Sequence, residues 1–151
     1  MRQRRWAKSA DRMASVPLYT PEILSLATGL ARWCWNEALP RRATVRSRSC
    51  GSTLSLGIDV DGDGRIAALG IKAQACAIGQ AAATIFAEGA LGRGGAEIAQ
   101  AERAVGNWLS GDGEVPDWPG IEAIAPARAY PGRHGAIMLA WQAAKDLLPS
   151  R

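Results

Sequence analysis

The side chains able to hold a soft metal or act as strong nucleophiles are few: three cysteines, Cys34, Cys50 and Cys76, and one histidine, His134. Thiolate sulfur and imidazole nitrogen are the donors that suit zinc, iron and iron–sulfur clusters. Cys50-Gly51 lies in a polar stretch just ahead of an alternating segment, and Cys76 lies where a second such segment gives way to a helical pattern. A hairpin between them brings both thiols to the same end of a sheet. Cys76 and His134 each stand at a helix start, where oriented N–H groups and the positive dipole end favour a thiolate. Two loop thiols and an imidazole therefore form a candidate metal-ligand set, Cys50, Cys76 and His134. The plainer alternative is two buried structural cysteines and a capping histidine. Cys34 falls on a helical apolar stripe between Trp33 and Trp35 and reads as a small buried hydrophobe.

Other motifs carry less. Asp59-Val60-Asp61-Gly62-Asp63-Gly64 opens like a calcium loop, but the twelfth position, which must supply a bidentate carboxylate, is Gly70. Its flanks alternate like strands, so it reads as a hairpin turn. Gly92-Arg93-Gly94-Gly95 lacks the lysine and hydroxyl of a phosphate loop and follows a helix, which makes it a helix end. No Gly-x-Ser-x-Gly elbow is present to accompany the single histidine, which argues against a serine triad and leaves only a cysteine–histidine hydrolase open.

The elements that must position these residues follow from periodicity. Thr20-Pro21 is a helix start, and Ile23, Ala27, Leu30 and Cys34 continue at helical spacing until Pro40. Thr53 to Val60 alternates as a half-buried strand, Asp61–Gly64 turns, and Arg65 to Ala73 returns. A weaker pattern around Ala43 to Arg48 suggests an edge strand. Helices follow from Cys76 to about Gly89, from Ala96 to Leu109, and from His134 to Leu148, with an irregular Gly/Pro/Trp-rich connection over Gly111–Pro131. The order predicts an α+β fold, a small antiparallel sheet of about three strands covered by helices.

At 151 residues, with 48% hydrophobic and 21% charged residues, the chain has the composition of one globular domain, spanning 16–151 behind a basic flexible tail at 1–15. Residues 1–12 hold Arg2, Arg4, Arg5, Lys8 and Arg12 against Asp11, so they account for the whole net charge of +4. The rest is neutral and lacks the basic stripe with interleaved aromatics of a nucleic-acid binder. No apolar run spans a bilayer, and the start has no signal-peptide core, although its Arg and Ser would also suit a transit peptide or an over-long start ahead of Met13. The odd cysteine count fits a reducing, cytoplasmic setting.

Taken together, these segments resemble the iron–sulfur cluster scaffold family of IscU, SufU and the NifU N-terminal domain, across roughly residues 18–148. Leu18-Tyr19…Ile23 is similar to the family's first helix, and Arg48-Ser49-Cys50-Gly51-Ser52 to its Asn-Pro-x-Cys-Gly-Asp loop. Ala75-Cys76-Ala77-Ile78-Gly79-Gln80-Ala81 resembles Gly-Cys-Ala-Ile-Ser-x-Ala, and Arg133-His134-Gly135-Ala136…Leu139-Ala140-Trp141 resembles the SufU-like Arg-x-Lys-Cys-Ala-x-Leu-Ala-Trp helix start. The resemblance implies a scaffold or carrier rather than an enzyme. It would bind iron or an iron–sulfur cluster, take sulfur from a cysteine desulfurase and deliver to acceptor proteins. Cys50 and Cys76 match two ligand cysteines. The family's aspartate is Ser52 here and its third cysteine is Gly135, so His134 is the substitute donor. Such a site leaves a position for an outside ligand or a second protomer in a homodimer, and an imidazole in place of a thiolate raises a cluster's potential. Two alternatives stand beside it. One is a SufU-like zinc site in which Cys76 or Cys50 accepts sulfur; the other is a metal-free homologue acting as an interaction module.

Overall fold

The computed structural model describes residues 18–148. The basic stretch expected as a tail, 1–15, lies outside them. Helix α1, Pro21–Gly29, begins as the sequence predicts: the Thr20 hydroxyl accepts a hydrogen bond from the Ile23 N–H at 3.1 Å, and proline occupies the first turn. It does not run to Pro40. After a 3-10 turn, Leu30–Arg32, the chain straightens so that the Trp33 carbonyl accepts the Ile71 N–H at 2.8 Å. Cys34 forms an isolated bridge with Ile71. Satisfying the open edge of a strand outweighs continuing an apolar helical stripe. The expectation that Cys34 is buried is thereby corrected: it is exposed, and its thiol donates to the Ala31 carbonyl at 2.9 Å.

Three antiparallel strands, β1 (Arg41–Arg46), β2 (Thr53–Val60) and β3 (Ile66–Gln74), form one sheet in that order. β1 lies two residues earlier than its pattern suggested, because Ser47 to Ser52 is committed to a turn closed by Ser47 N–H to Ser52 O at 2.8 Å. Leu54, Leu56, Ile58, Ile66 and Ile71 are buried on the inner face. On the outer face the register stacks Arg42 beside Gly57 and Gly70, Thr44 beside Ser55 and Lys72, and Arg46 beside Thr53 and Gln74. The strap of residues 33–40 crosses the first of these rows and sets Trp35 beside Lys72 of the second. Leu39 packs on Gly57, and a side chain at Gly70 would strike the Cys34 carbonyl.

Helices α2 (Ala77–Ala90) and α4 (His134–Leu147) lie against the inner face, and α3 (Gly95–Leu109) packs on α4. Nearly every α2 side chain from Ile78 to Ala87 is buried, as a central helix requires. Phe86 stacks on Trp118, and Trp141 meets both edge-on at 5.4 Å. The connection expected to be irregular holds a 3-10 helix, Ile121–Ala129, whose Ile121, Ile124 and Ala127 are buried at a spacing of three. That spacing matches three residues per turn. No helix among the described residues is long and apolar enough to cross a membrane.

Candidate metal and thiol site

Cys50 sits at the tip of the β1–β2 turn, three residues before Thr53. Thr53 pairs with Gln74, two residues before Cys76, so both thiols lie at one end of the sheet, as the hairpin argument required. Cys76 is half-buried and occupies the N-cap of α2, with an extended backbone and its carbonyl accepting the Gln80 N–H at 2.9 Å. The first turns of α2 and α4 touch where Gly79 meets Ala136, and α4 in turn meets the Cys50 turn where Gly135 meets Ser47 and Ser49. Thus the Cys50 turn, the start of α4 and the start of α2 form one continuous junction.

Serine hydroxyls surround the Cys50 sulfur. Ser52 Oγ lies 3.0 Å away and Ser47 Oγ 3.4 Å away, with Ser47 also 3.1 Å from Ser49 Oγ. These hydroxyls, Ser47 first and then Ser52, stabilise the thiolate and lower the Cys50 pKa from 9.0 to about 7, against a small opposing effect of burial. The polar contact comes from hydroxyls that rotate to serve either protonation state. Sequence reasoning had noted Ser52 as a missing carboxylate and had given Ser47 no role. The visible signal was the serine spacing Ser47-x-Ser49-Cys50-Gly51-Ser52.

The third position of the family motif is closed as well as empty of a donor. A Cβ at Gly135 would fall within contact distance of the Ser47 and Ser49 hydroxyls, and Ser47 is buried. His134 Nε2 lies 3.2 Å from both the Ala127 and Arg128 carbonyls, so the ring donates there and caps the end of the 3-10 helix. Among the described residues, no three His, Cys, Asp or Glu side chains converge as a group ready for a metal. The structure brings Cys50 and Cys76 to a shared end and gives His134 a hydrogen-bonding role of its own.

In architecture this is an α+β domain with helices on one face of a three-stranded antiparallel sheet, and solved structures share it. A NifU-like N-terminal protein from Brucella abortus superposes with a TM-score of 0.75 at 29% identity, over 86% of this chain and 91% of that one. A protein from Fervidobacterium islandicum AW-1, described as an iron–sulfur cluster assembly scaffold for the SUF system, gives 0.78 at 21% identity, over 87% and 97%. No family model and no curated protein sequence matches the chain. The chain therefore shares the fold of these proteins and is similar in sequence to the NifU-like N-terminal protein at 29% identity.

Proposed function

We propose that the protein is an iron–sulfur cluster assembly scaffold or carrier, with the cluster or its iron as cargo and the Cys50 and Cys76 thiolates as ligands. The observation that carries this reading is the pairing of an exposed thiol, lowered to about 7, with a second thiol at the same end of the sheet. Soft thiolates are the donors an iron–sulfur cluster takes. His134 is the third donor in this reading. With Nε2 directed at backbone carbonyls, Nδ1 is the nitrogen left to ligate. The remaining coordination comes from outside the chain. A cysteine desulfurase is the proposed sulfur donor, and cluster-requiring proteins are the acceptors. Anaerobic reconstitution with iron and sulfide tests the proposal. The expected result is a visible thiolate-to-iron band, lost in Cys50→Ser and Cys76→Ser and weakened in His134→Ala. A colourless, iron-free product overturns it in favour of a metal-free interaction module.

One observation favours a second reading, a SufU-like zinc-site sulfur acceptor for a cysteine desulfurase. A thiol with pKa near ambient pH is best placed for thiol–disulfide-type attack. The Cys50 thiolate would take the terminal sulfur of a desulfurase persulfide, forming a new S–S bond as the donor leaves as a thiolate. Zinc in the purified protein, together with faster desulfurase turnover that depends on Cys50, would select this reading over the first.

A further inference from the structure

The charges of the domain are not mixed evenly. Residues 38–58, 64–87 and 123–145 contain no Asp or Glu, and parts of all three meet at the thiol end. Arg46 and Arg48 line a cleft floored by Ser47, Ser49, Gly135 and Gln142, and Arg133 adjoins it at the start of α4. Among the described residues these three arginines have no carboxylate partner. Within the same residues Arg32, Arg42, Arg65, Arg93 and Lys145 are each ion-paired, while Arg41, Lys72, Arg103 and Arg128 are not; what sets Arg46, Arg48 and Arg133 apart is that they gather around one cleft. Through Arg46 the cleft is continuous with the outer-face row Arg46–Thr53–Gln74.

We propose that this face is a docking surface for a protein partner that presents a carboxylate-rich segment. Guanidinium forks bind carboxylates bidentately, and the neighbouring hydroxyls and amides complete a hydrogen-bonding floor. Cations on an edge strand can serve only to discourage strand pairing. Arg48 and Arg133 lie off the strand, in a turn and at a helix start, so edge protection does not account for them. Nucleic acid is the weaker fit, because Trp35, an aromatic side chain beside the face, already carries Lys72 over its ring at 5.3 Å. A lipid surface fits less well still. The exposed large apolar side chains are Tyr19, Leu24, Leu91 and Val115, none of them on this face.

The surface adjoins the proposed cluster site, but its charge does not depend on that reading. The test therefore uses metal-free protein, so that failure here leaves the cluster proposal standing, and the reverse. The probe is a fluorescent peptide of about a dozen alternating Asp and Glu residues. It is compared with a single-stranded oligo-dT of equal charge and with vesicles containing phosphatidylserine. The expected result is peptide binding that weakens with added salt. Arg46→Glu, Arg48→Glu and Arg133→Glu should each weaken it by roughly 3- to 10-fold, as for charges at an interface. Arg103→Glu, on the exposed side of α3, makes the same change in net charge and should leave binding unaltered. The proposal is overturned by absent peptide binding, by an equal loss in Arg103→Glu, or by tighter binding of the oligonucleotide or the vesicles. All four arginines are at or near the surface, and circular dichroism of each variant confirms folding.

Discussion

The hairpin of β2 and β3 has two ends built by similar local chemistry and put to different use. At the far end, Asp61 Oδ1 accepts hydrogen bonds from the Asp63 and Arg65 N–H groups at 2.9 and 3.0 Å, and Gly64 supplies φ +76°. At the thiol end, Gly51 supplies φ +71° and serine hydroxyls gather around Cys50. The two ends are about 25 Å apart, at roughly 3.3 Å per residue along β2. Arg65 at the far turn is neutralised by Glu97 at 2.7 Å, whereas among the described residues Arg46, Arg48 and Arg133 have no carboxylate partner. One end satisfies its polar groups internally. The other leaves a thiol and three guanidiniums facing solvent, and unspent polar capacity of that kind marks a place where a ligand or partner is met.

The largest expected effect comes from forcing the thiol end back to the family pattern. Gly135→Cys restores a third thiol, but its Cβ must displace the Ser47 and Ser49 hydroxyls. Overpacking of this kind costs about 1–3 kcal/mol, read as a lower urea midpoint at unchanged slope. Adding Ser47→Gly should recover most of the loss. If Gly135→Cys alone is as stable as the parent chain, the closeness of α4 to the Cys50 turn is wrong.

At the other end, Asp61→Ala removes the acceptor of two turn N–H groups. It should lower stability by about 1 kcal/mol, because the groups it frees are exposed and water replaces the carboxylate. Alkylation of Cys50 should not change. A change in Cys50 reactivity would mean that the two ends are coupled through the sheet, against the independence expected at this separation.

How legible each end was in the sequence follows from the range of its contacts. The strict alternation of Leu54, Leu56, Ile58 and Val60 placed β2 residue for residue, since one buried face fixes register. The Asp-Gly turn was equally plain. The end of α1 was not, because Trp33 to Trp35 continue an apolar pattern and only the distant Ile71 N–H pulls them straight. The 3-10 helix hid behind Pro126, and its spacing of three was read as loop. At the site, both cysteines could be read from local motifs. The serine spacing also signalled the Ser47 hydroxyl beside Cys50, but not its contact with Gly135, 88 positions later by number, since no local pattern reports a contact of that range.

The finest distinction between the ends is in titration. In the metal-free protein, iodoacetamide labelling of Cys50 against pH should show a midpoint near 7, against 9.0 for an ordinary thiol. Since Ser47 is the largest cause of the lowering, Ser47→Ala should move the midpoint upward, and Ser52→Ala should do so by less. The sign also fixes a stability effect. The folded pKa is below the unfolded one, so the thiolate's contribution is fully present above pH 9 and is lost as pH falls through 7. Cys50→Ala should remove that rise between pH 7 and 9, while Asp61→Ala leaves it intact. Cys50 is exposed, so water screens the hydroxyl contacts and the change in stability is small beside that from Gly135→Cys. A labelling midpoint that stays near 9 in the parent chain would show that the hydroxyls do not hold the thiolate, and would remove the chemical contrast between the two turns.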